Sequence, residues 1–291
     1  MESPKWLIGA MASDEKAAQV EVDGAQIAYS VWGNTSNPGM ILIHGSNAHR
    51  HWWQWVAPYL ARRFRVAAID LSGHGDSEWR EAYSGETFAK EVMAVCSDAN
   101  LGEKPIVVAH SFGGFVGLET AHHYGDQLRG VVFADFTVAP RAQYVEWGNQ
   151  RAERGGPARP TRIYEDRDVA LGRYRLIPEQ PNRYPEVLAF LAEKSLRAVA
   201  GGWTWKFDPA LFDDLEMGID QTDKFEALRC PSALILGEHS TDEGAYFADH
   251  MIRVAPYALP SITLYETHHH FMLEEPMATV SAIEALVAPW L

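Results

Sequence analysis

At 291 residues, 47% of them hydrophobic, the chain is long enough for one large domain, or one domain carrying an inserted subdomain, and wholesale disorder is not expected. A formal net charge of −14 argues against nucleic acid and anionic membrane surfaces as partners, because both recruit clustered Lys and Arg; solubility is its plainest consequence. Cys96 and Cys230 form no CxxC pair, the N-terminal apolar run is broken by Gly9, and no run reaches the ~20 apolar residues of a membrane span, so a disulfide framework, a zinc knuckle, a signal peptide and a membrane anchor are not expected and a reduced, cytoplasmic protein is.

In chain order, strands are expected at Ala25–Trp32, 40–43, 65–70, 105–109, Gly130–Ala134, 232–236 and 261–265. Between them come helices at 51–62, 86–101, Phe112–Tyr124, 243–254 and from Pro276 onward. This alternation is the pattern of a mostly parallel central sheet with helices on both faces, an α/β fold. Between 136 and 228 the strand signal fades into Gly155-Gly156-Pro157, repeated Arg, Pro160, Pro178, Pro181, Pro185 and a helical piece over 185–200. We read 136–228 as a mostly helical cap inserted into a core made of 1–135 and 229–291.

Ile41-Leu42-Ile43-His44-Gly45-Ser46-Asn47 is an apolar strand running into a tight loop. Such a loop can offer a backbone N–H to an oxyanion, and Ser46, to within one residue, is the assigned donor. His44 is expected to order the turn, Asn47 and Trp52 to border a pocket, and Trp53 to enter the core. Val107-Val108-Ala109-His110-Ser111-Phe112-Gly113-Gly114 is an apolar strand delivering a serine to the start of a helix, with small residues where backbones must approach. Ser111 is therefore the expected nucleophile and the Phe112 N–H the second oxyanion donor. Near the C-terminus stands Thr267-His268-His269-His270-Phe271-Met272-Leu273-Glu274-Glu275-Pro276, from which one histidine is needed as base. A metal site is not expected there, because neighbouring side chains on an extended segment diverge and no HExxH accompanies them; no cofactor is called for.

With the serine turn, the His-Gly loop and the terminal histidine in order, the chain resembles the α/β-hydrolase superfamily over nearly its whole length, in its capped, serine-esterase-like branch. The resemblance, through the pattern G-H-F-x-x-L-E-x-P laid on Leu273-Glu274-Glu275-Pro276, implies His269 as the base. Asp70-Leu71-Ser72-Gly73-His74-Gly75-Asp76-Ser77 matches the family's D-x-x-G-x-G-x-S turn and is read as structural. Ala109 replaces the first glycine of the family's G-x-S-x-G. Haloalkane dehalogenases and epoxide hydrolases of this fold carry Asp where this chain has Ser111, which suits acyl transfer at a carbonyl.

The same resemblance puts the triad acid after the seventh strand, where Leu234-Ile235-Leu236-Gly237-Glu238-His239-Ser240-Thr241-Asp242 offers only Ser240 at the expected position. Asp135, ending strand Gly130–Ala134, is therefore the expected acid, with Asp242 as the alternative and Glu238 two residues early. The implied reaction is hydrolysis of a small-molecule carboxylic ester. Cleavage of a C–C bond, a lactone or an amide is the alternative, and a ligand receptor or lyase on the same fold lies outside hydrolysis. Oligomeric state is not legible. The cap rings Tyr144, Trp147, Trp203, Trp205 and Phe207 are expected to close a largely apolar pocket over Ser111, although core packing of Trp203 and Trp205 competes. Arg173 and Arg175 suit either a substrate carboxylate or, more readily in so acidic a chain, salt bridges.

Overall fold

The apolar runs of β3 (Gly39–Ile43), β5 (Ile106–His110) and β6 (Gly130–Ala134) are buried at every residue, as strands covered on both faces must be. In the computed structural model, which describes residues 4–291 apart from 155–159, 214, 216, 217 and 219, they form the middle of an eight-stranded sheet. The other members are β1 (Lys16–Val22), β2 (Ala25–Trp32), β4 (Arg65–Ile69), β9 (Ser232–Gly237) and β10 (Ser261–Leu264). The order is β1-β2-β4-β3-β5-β6-β9-β10, with β1 and β2 antiparallel and all pairs from β4 to β10 parallel. The chain is thus an α/β-hydrolase fold.

The two-residue period of the strands divides the core. Ile41, Ile43, Val107, Ala109 and Phe133 face one layer, built by α3 (Gly85–Asp98) and α4 (Phe112–Tyr124). Met40, Leu42, Val108, Val132 and Ala134 face the other, where α11 (Pro276–Val287) contributes Val280, Ile283 and Val287. Among the described residues no helix is long and apolar enough to cross a membrane.

Several sequence-based elements differ in the structure. The helix expected over 51–62 is a 3-10 turn, Arg50–Trp53, followed by the single turn α2 (Ala57–Leu60). Pro58 supplies no N–H to a continuous ladder, and Trp52, Trp53 and Trp55 are all buried, so packing rather than one amphipathic face sets this backbone. The helix over 243–254 breaks into a 3-10 turn, Glu243–Ala245, and α9 (Ala248–Val254). Thr137 lies in the break: its N–H donates to the Gly244 carbonyl at 2.7 Å, and its Oγ1 accepts the Phe247 N–H at 3.0 Å.

The N-terminal helix α1 (Lys5–Met11) and β1 had no counterpart in the sequence reading. The signal for β1 was Asp23-Gly24, whose φ values of 47° and 81° make the two-residue turn that joins antiparallel strands.

Residues 135–231 are inserted between the parallel neighbours β6 and β9. They carry α5 (Arg141–Arg154), α6 (Arg167–Leu171), α7 (Pro185–Lys194) and α8 (Gln221–Glu226). The helix expected over 185–200 stops at Lys194, and the chain turns into a hairpin of β7 (Leu196–Val199) and β8 (Gly202–Trp205). The turn uses Gly201 at φ 87° and Gly202 at φ 140°, a conformation that side-chain-bearing residues rarely adopt. Gly155, Gly156 and Pro157 lie outside the described residues.

Candidate active site

Strand β5 ends by placing Ser111 at φ 53° and ψ −123°, a strained conformation for a residue with a Cβ. It persists because the surroundings fix it. The Ser111 N–H donates to the Ala134 carbonyl at 3.0 Å, and Gly113 and Gly114 let α4 start against neighbouring chain. A Cβ on Gly113 would lie 2.5 Å from the His44 carbonyl oxygen, and one on Gly114 2.2 Å from the Phe136 ring. The departure at Ala109 is absorbed on the facing turn of α4, where a Cβ on Gly117 would come within 2.8 Å of the Ala109 methyl.

The loop after β3 passes beside this turn, so closely that a Cβ on Gly45 would sit 3.1 Å from the Ser111 Cβ. Among the described residues no acceptor takes the N–H of Ser46 or of Phe112, the first residue of α4. His44 orders the loop as expected. Its Nδ1–H donates to the Gly45 carbonyl at 2.7 Å, and its Nε2 accepts the Leu71 N–H at 3.2 Å.

His269, 2% exposed, is held from both sides. Its Nδ1 lies 2.6 Å from Asp135 Oδ2 and its Nε2 lies 2.9 Å from Ser111 Oγ. An ionised carboxylate only accepts, so Nδ1 carries the proton and Nε2 is left to accept from the serine hydroxyl. Asp135 ends β6 at φ 49°, a region Asp tolerates, and its Oδ1 accepts the Gly237 N–H at 2.8 Å. Its Oδ2 also accepts a short hydrogen bond from the Ser240 hydroxyl. Ser240, at the position from which the acid is missing, thus braces the carboxylate that stands on His269. No sequence signal pointed to that role.

The alternative acids fall elsewhere. Asp242 Oδ2 is 3.8 Å from His269 Nε2, on the serine side of the ring, and its Oδ1 accepts the Gly244 N–H at 2.8 Å. Glu238 accepts the Glu266 N–H at 2.8 Å. Of the neighbouring histidines, His268 turns away to Glu274, at 3.0 Å. His269 and His270 do not diverge as expected: their ring centroids are 4.7 Å apart, because the chain bends into α10 (Phe271–Glu274). His110 joins them, its Nε2–H donating to the His269 carbonyl at 2.9 Å. Ligand nitrogens of His110, His269 and His270 all lie within 4.8 Å of one another, the one His/Cys/Asp/Glu grouping of that kind among the described residues. Only the His270 Nδ1 is a buried orphan; both His269 nitrogens are engaged, so a cation there would have to displace Ser111 or Asp135.

Burial keeps several histidines of this region neutral. It holds His49 down at about 3 and, helped by Arg50, His51 at about 2, and it pushes His74, His110 and His270 well below the ordinary imidazole range. Unfolding returns each to about 6.5, so the unfolded chain binds more protons between the folded values and 6.5. Their contribution is therefore whole above pH 6.5 and is lost as pH falls. His49 and His51 alone account for roughly 3 kcal/mol per pH unit well below 6.5. The urea midpoint is expected to be flat from pH 8 to 7 and to fall steeply from 6.5 to 4.5. A midpoint unchanged to pH 4.5 would mean that these rings accept protons in the folded state.

Ser111 opens into a cavity of about 910 Å³. Phe112, Phe136, Tyr144, Trp147 and Phe212 give it apolar walls, all but Phe112 from the insertion, while Asp220, Gln221 and Lys224 make one end polar. That end is paired internally: Lys224 bridges Glu119 at 2.7 Å and Asp220 at 3.1 Å, and the Tyr144 hydroxyl donates to Gln221 at 3.0 Å. A second cavity of about 290 Å³ shares the Ser46–Asn47 turn, and Trp52, Trp205 and Phe207 line it. The expectation for Trp203 fails: it lines neither cavity, and the Arg167 guanidinium sits over its ring at 5.3 Å. The salt bridges expected for Arg173 and Arg175 also fail, since no carboxylate among the described residues pairs with either. Both belong to a loop that brings them to the second cavity, where no acidic side chain lies among the described residues.

A family model described as the alpha/beta hydrolase family matches residues 40–283. The 2-(acetamidomethylene)succinate hydrolase of Mesorhizobium japonicum is 25% identical over 276 residues, covering 94% of this chain and 96% of the relative. A haloalkane dehalogenase of Sphingobium indicum is 26% identical over 147 residues, 49% of this chain and 47% of the dehalogenase, so the match spans about half of that relative. The crystal structure of E-2-(acetamidomethylene)succinate hydrolase superposes with a TM-score of 0.77 at 23% identity, over 94% of this chain and 99% of the other, a likeness of fold.

Proposed function

The chain belongs to the alpha/beta hydrolase family, and we propose that it cleaves a small-molecule carboxylic ester through an acyl-enzyme on Ser111. The observation that carries this reading is the line Asp135–His269–Ser111, with hydrogen-bond distances of 2.6 and 2.9 Å on opposite nitrogens of one imidazole. His269 Nε2 takes the hydroxyl proton as Ser111 Oγ attacks the carbonyl carbon, and the N–H groups of Phe112 and Ser46 receive the oxyanion. The imidazolium, stabilised by Asp135, returns the proton to the departing alkoxide. Water then attacks the acyl-enzyme with His269 again as base, and Ser111 is regenerated. A serine forms no alkyl ester of the kind a dehalogenase carboxylate forms, so haloalkane chemistry is not part of the reading.

The similarity to a 2-(acetamidomethylene)succinate hydrolase favours a second reading, in which the same groups attack an amide carbonyl. In either case we take residues 136–228 as the cap over Ser111 and residues 1–135 and 229–291 as the core. The unpaired, buried Cys96 and Cys230 fit a reducing cytoplasmic setting.

A fluorophosphonate probe is expected to label Ser111 stoichiometrically, in step with loss of 4-nitrophenyl acetate turnover, and chelation to leave both intact. Labelling elsewhere, or turnover abolished by chelator in a folded protein, rejects the serine acyl-enzyme. Slow hydrolysis of the ester beside rapid hydrolysis of its N-acyl counterpart selects the amide reading.

A further inference from the structure

The second cavity carries a charge opposite to that of the molecule. The chain has 39 acidic against 25 basic residues, yet among the described residues Arg173, Arg175 and Lys206 line this cavity and no carboxylate does. The cavity holding Ser111, across the same Ser46–Asn47 turn, is lined by Asp135, Asp220 and Asp242 with Lys224 alone opposing them.

Lys206 is spoken for by Asp76, at 2.5 Å. The arginines are not. Arg175 Nη1 donates to the carbonyl oxygens of Gly172 at 3.1 Å and Tyr174 at 2.7 Å, which fixes its guanidinium on its own loop and leaves Nε and Nη2 without partners among the described residues. The Arg173 N–H donates to the Ala170 carbonyl at 2.9 Å, but its guanidinium has no hydrogen-bond or ion-pair partner among them. Tyr174, between the two, packs against Trp205 with centroids 6.0 Å apart and anchors the loop. Arg173 and Arg175 thereby both line an aromatic-walled cavity that begins at the oxyanion turn, the second with its guanidinium tethered to the loop. A planar fork of N–H donors matches a carboxylate.

We infer that this cavity is an anion subsite in which Arg173 and Arg175 bind a carboxylate of the substrate, while its scissile carbonyl lies on the other side of the Ser46–Asn47 turn at Ser111. The inference rests on the acyl-enzyme reading for the position of the carbonyl, but the subsite itself does not depend on turnover. The two arginines are specificity residues, remote from the bond that breaks.

The test uses a pair that differs by one methyl group and one charge, mono(4-nitrophenyl) adipate and its methyl ester, with calorimetric binding of adipate to the Ser111→Ala protein. The half-ester is expected to show a KM at least about tenfold below that of the diester, with a preference that weakens at high salt. In Arg173→Ala/Arg175→Ala the ratio of kcat/KM for half-ester over diester should fall at least about tenfold, with partial recovery in the Lys/Lys variant. Adipate should bind Ser111→Ala and fail to bind it once both arginines are removed. Turnover of both esters without preference, together with no adipate binding, overturns the subsite and leaves the ester reading standing. Arginine-dependent adipate binding by a protein that hydrolyses neither ester upholds the subsite and removes the ester reading.

Discussion

Ser111→Ala is expected to lower kcat/KM for an activated ester by about three or more decades, a loss of roughly 4 kcal/mol of transition-state stabilisation. The residual rate over water comes from the Phe112 and Ser46 N–H groups and from binding. The fold should survive the change. Among the described residues the only hydrogen bond of the Ser111 hydroxyl is to His269 Nε2 at 2.9 Å, and alanine suffers at φ 53° much as serine does. Ser111→Gly separates the two effects: glycine accepts positive φ, so this variant should be equally inactive and at least as stable as the wild type. Urea midpoints measured beside the rates make the comparison. An alanine variant that keeps its stability and its turnover removes Ser111 from the reaction.

Strands buried on both faces were readable to within a residue, as was helix Phe112–Tyr124, because a continuous apolar run bounded by turn residues has few other solutions. The stretch from His51 to Trp55 was not, since burying every ring leaves no periodicity, and Pro58 breaks the ladder. The hairpin at β7 and β8 was missed although Gly201-Gly202 marked its turn, and so was β1 despite Asp23-Gly24. At the site, Ser111, Asp135 and His269 sit at strand ends or at a fixed offset from a motif, and the structure brings them within hydrogen-bond distance. Roles that depend on tertiary partners were illegible. Trp203 and Trp205 have the same spacing and strand face, yet Arg167 covers one and the second cavity takes the other. Whether Arg173 and Arg175 find a carboxylate is decided by the course of a distant chain, as is the bracing of Asp135 by Ser240.

Asp135→Asn is expected to cost about four decades in kcat near neutral pH while leaving the protein folded. The argument is one of tautomers. The wild-type carboxylate accepts from His269 Nδ1, which keeps the proton there and the Nε2 lone pair toward Ser111. An asparagine whose oxygen accepts the Gly237 N–H in place of Oδ1 presents its NH₂ to Nδ1, and the imidazole must then carry its proton on Nε2. In that state it cannot take the proton of the serine, and the imidazolium of the transition state loses its counter-charge. Asn tolerates the φ of 49° at this position, so strain does not confound the result. Asp242→Asn is the contrast. Its Oδ2 stands 3.8 Å from Nε2 and cannot hold the Nδ1 tautomer, so its loss should stay within about one decade. Ser240→Ala removes one hydroxyl from Asp135 Oδ2, a charge-assisted hydrogen bond, and should lose about tenfold without abolishing turnover. A folded Asp135→Asn enzyme with full turnover, beside an Asp242→Asn enzyme that has lost it, would transfer the acid's role to Asp242 and require the loop after β9 to move before reaction.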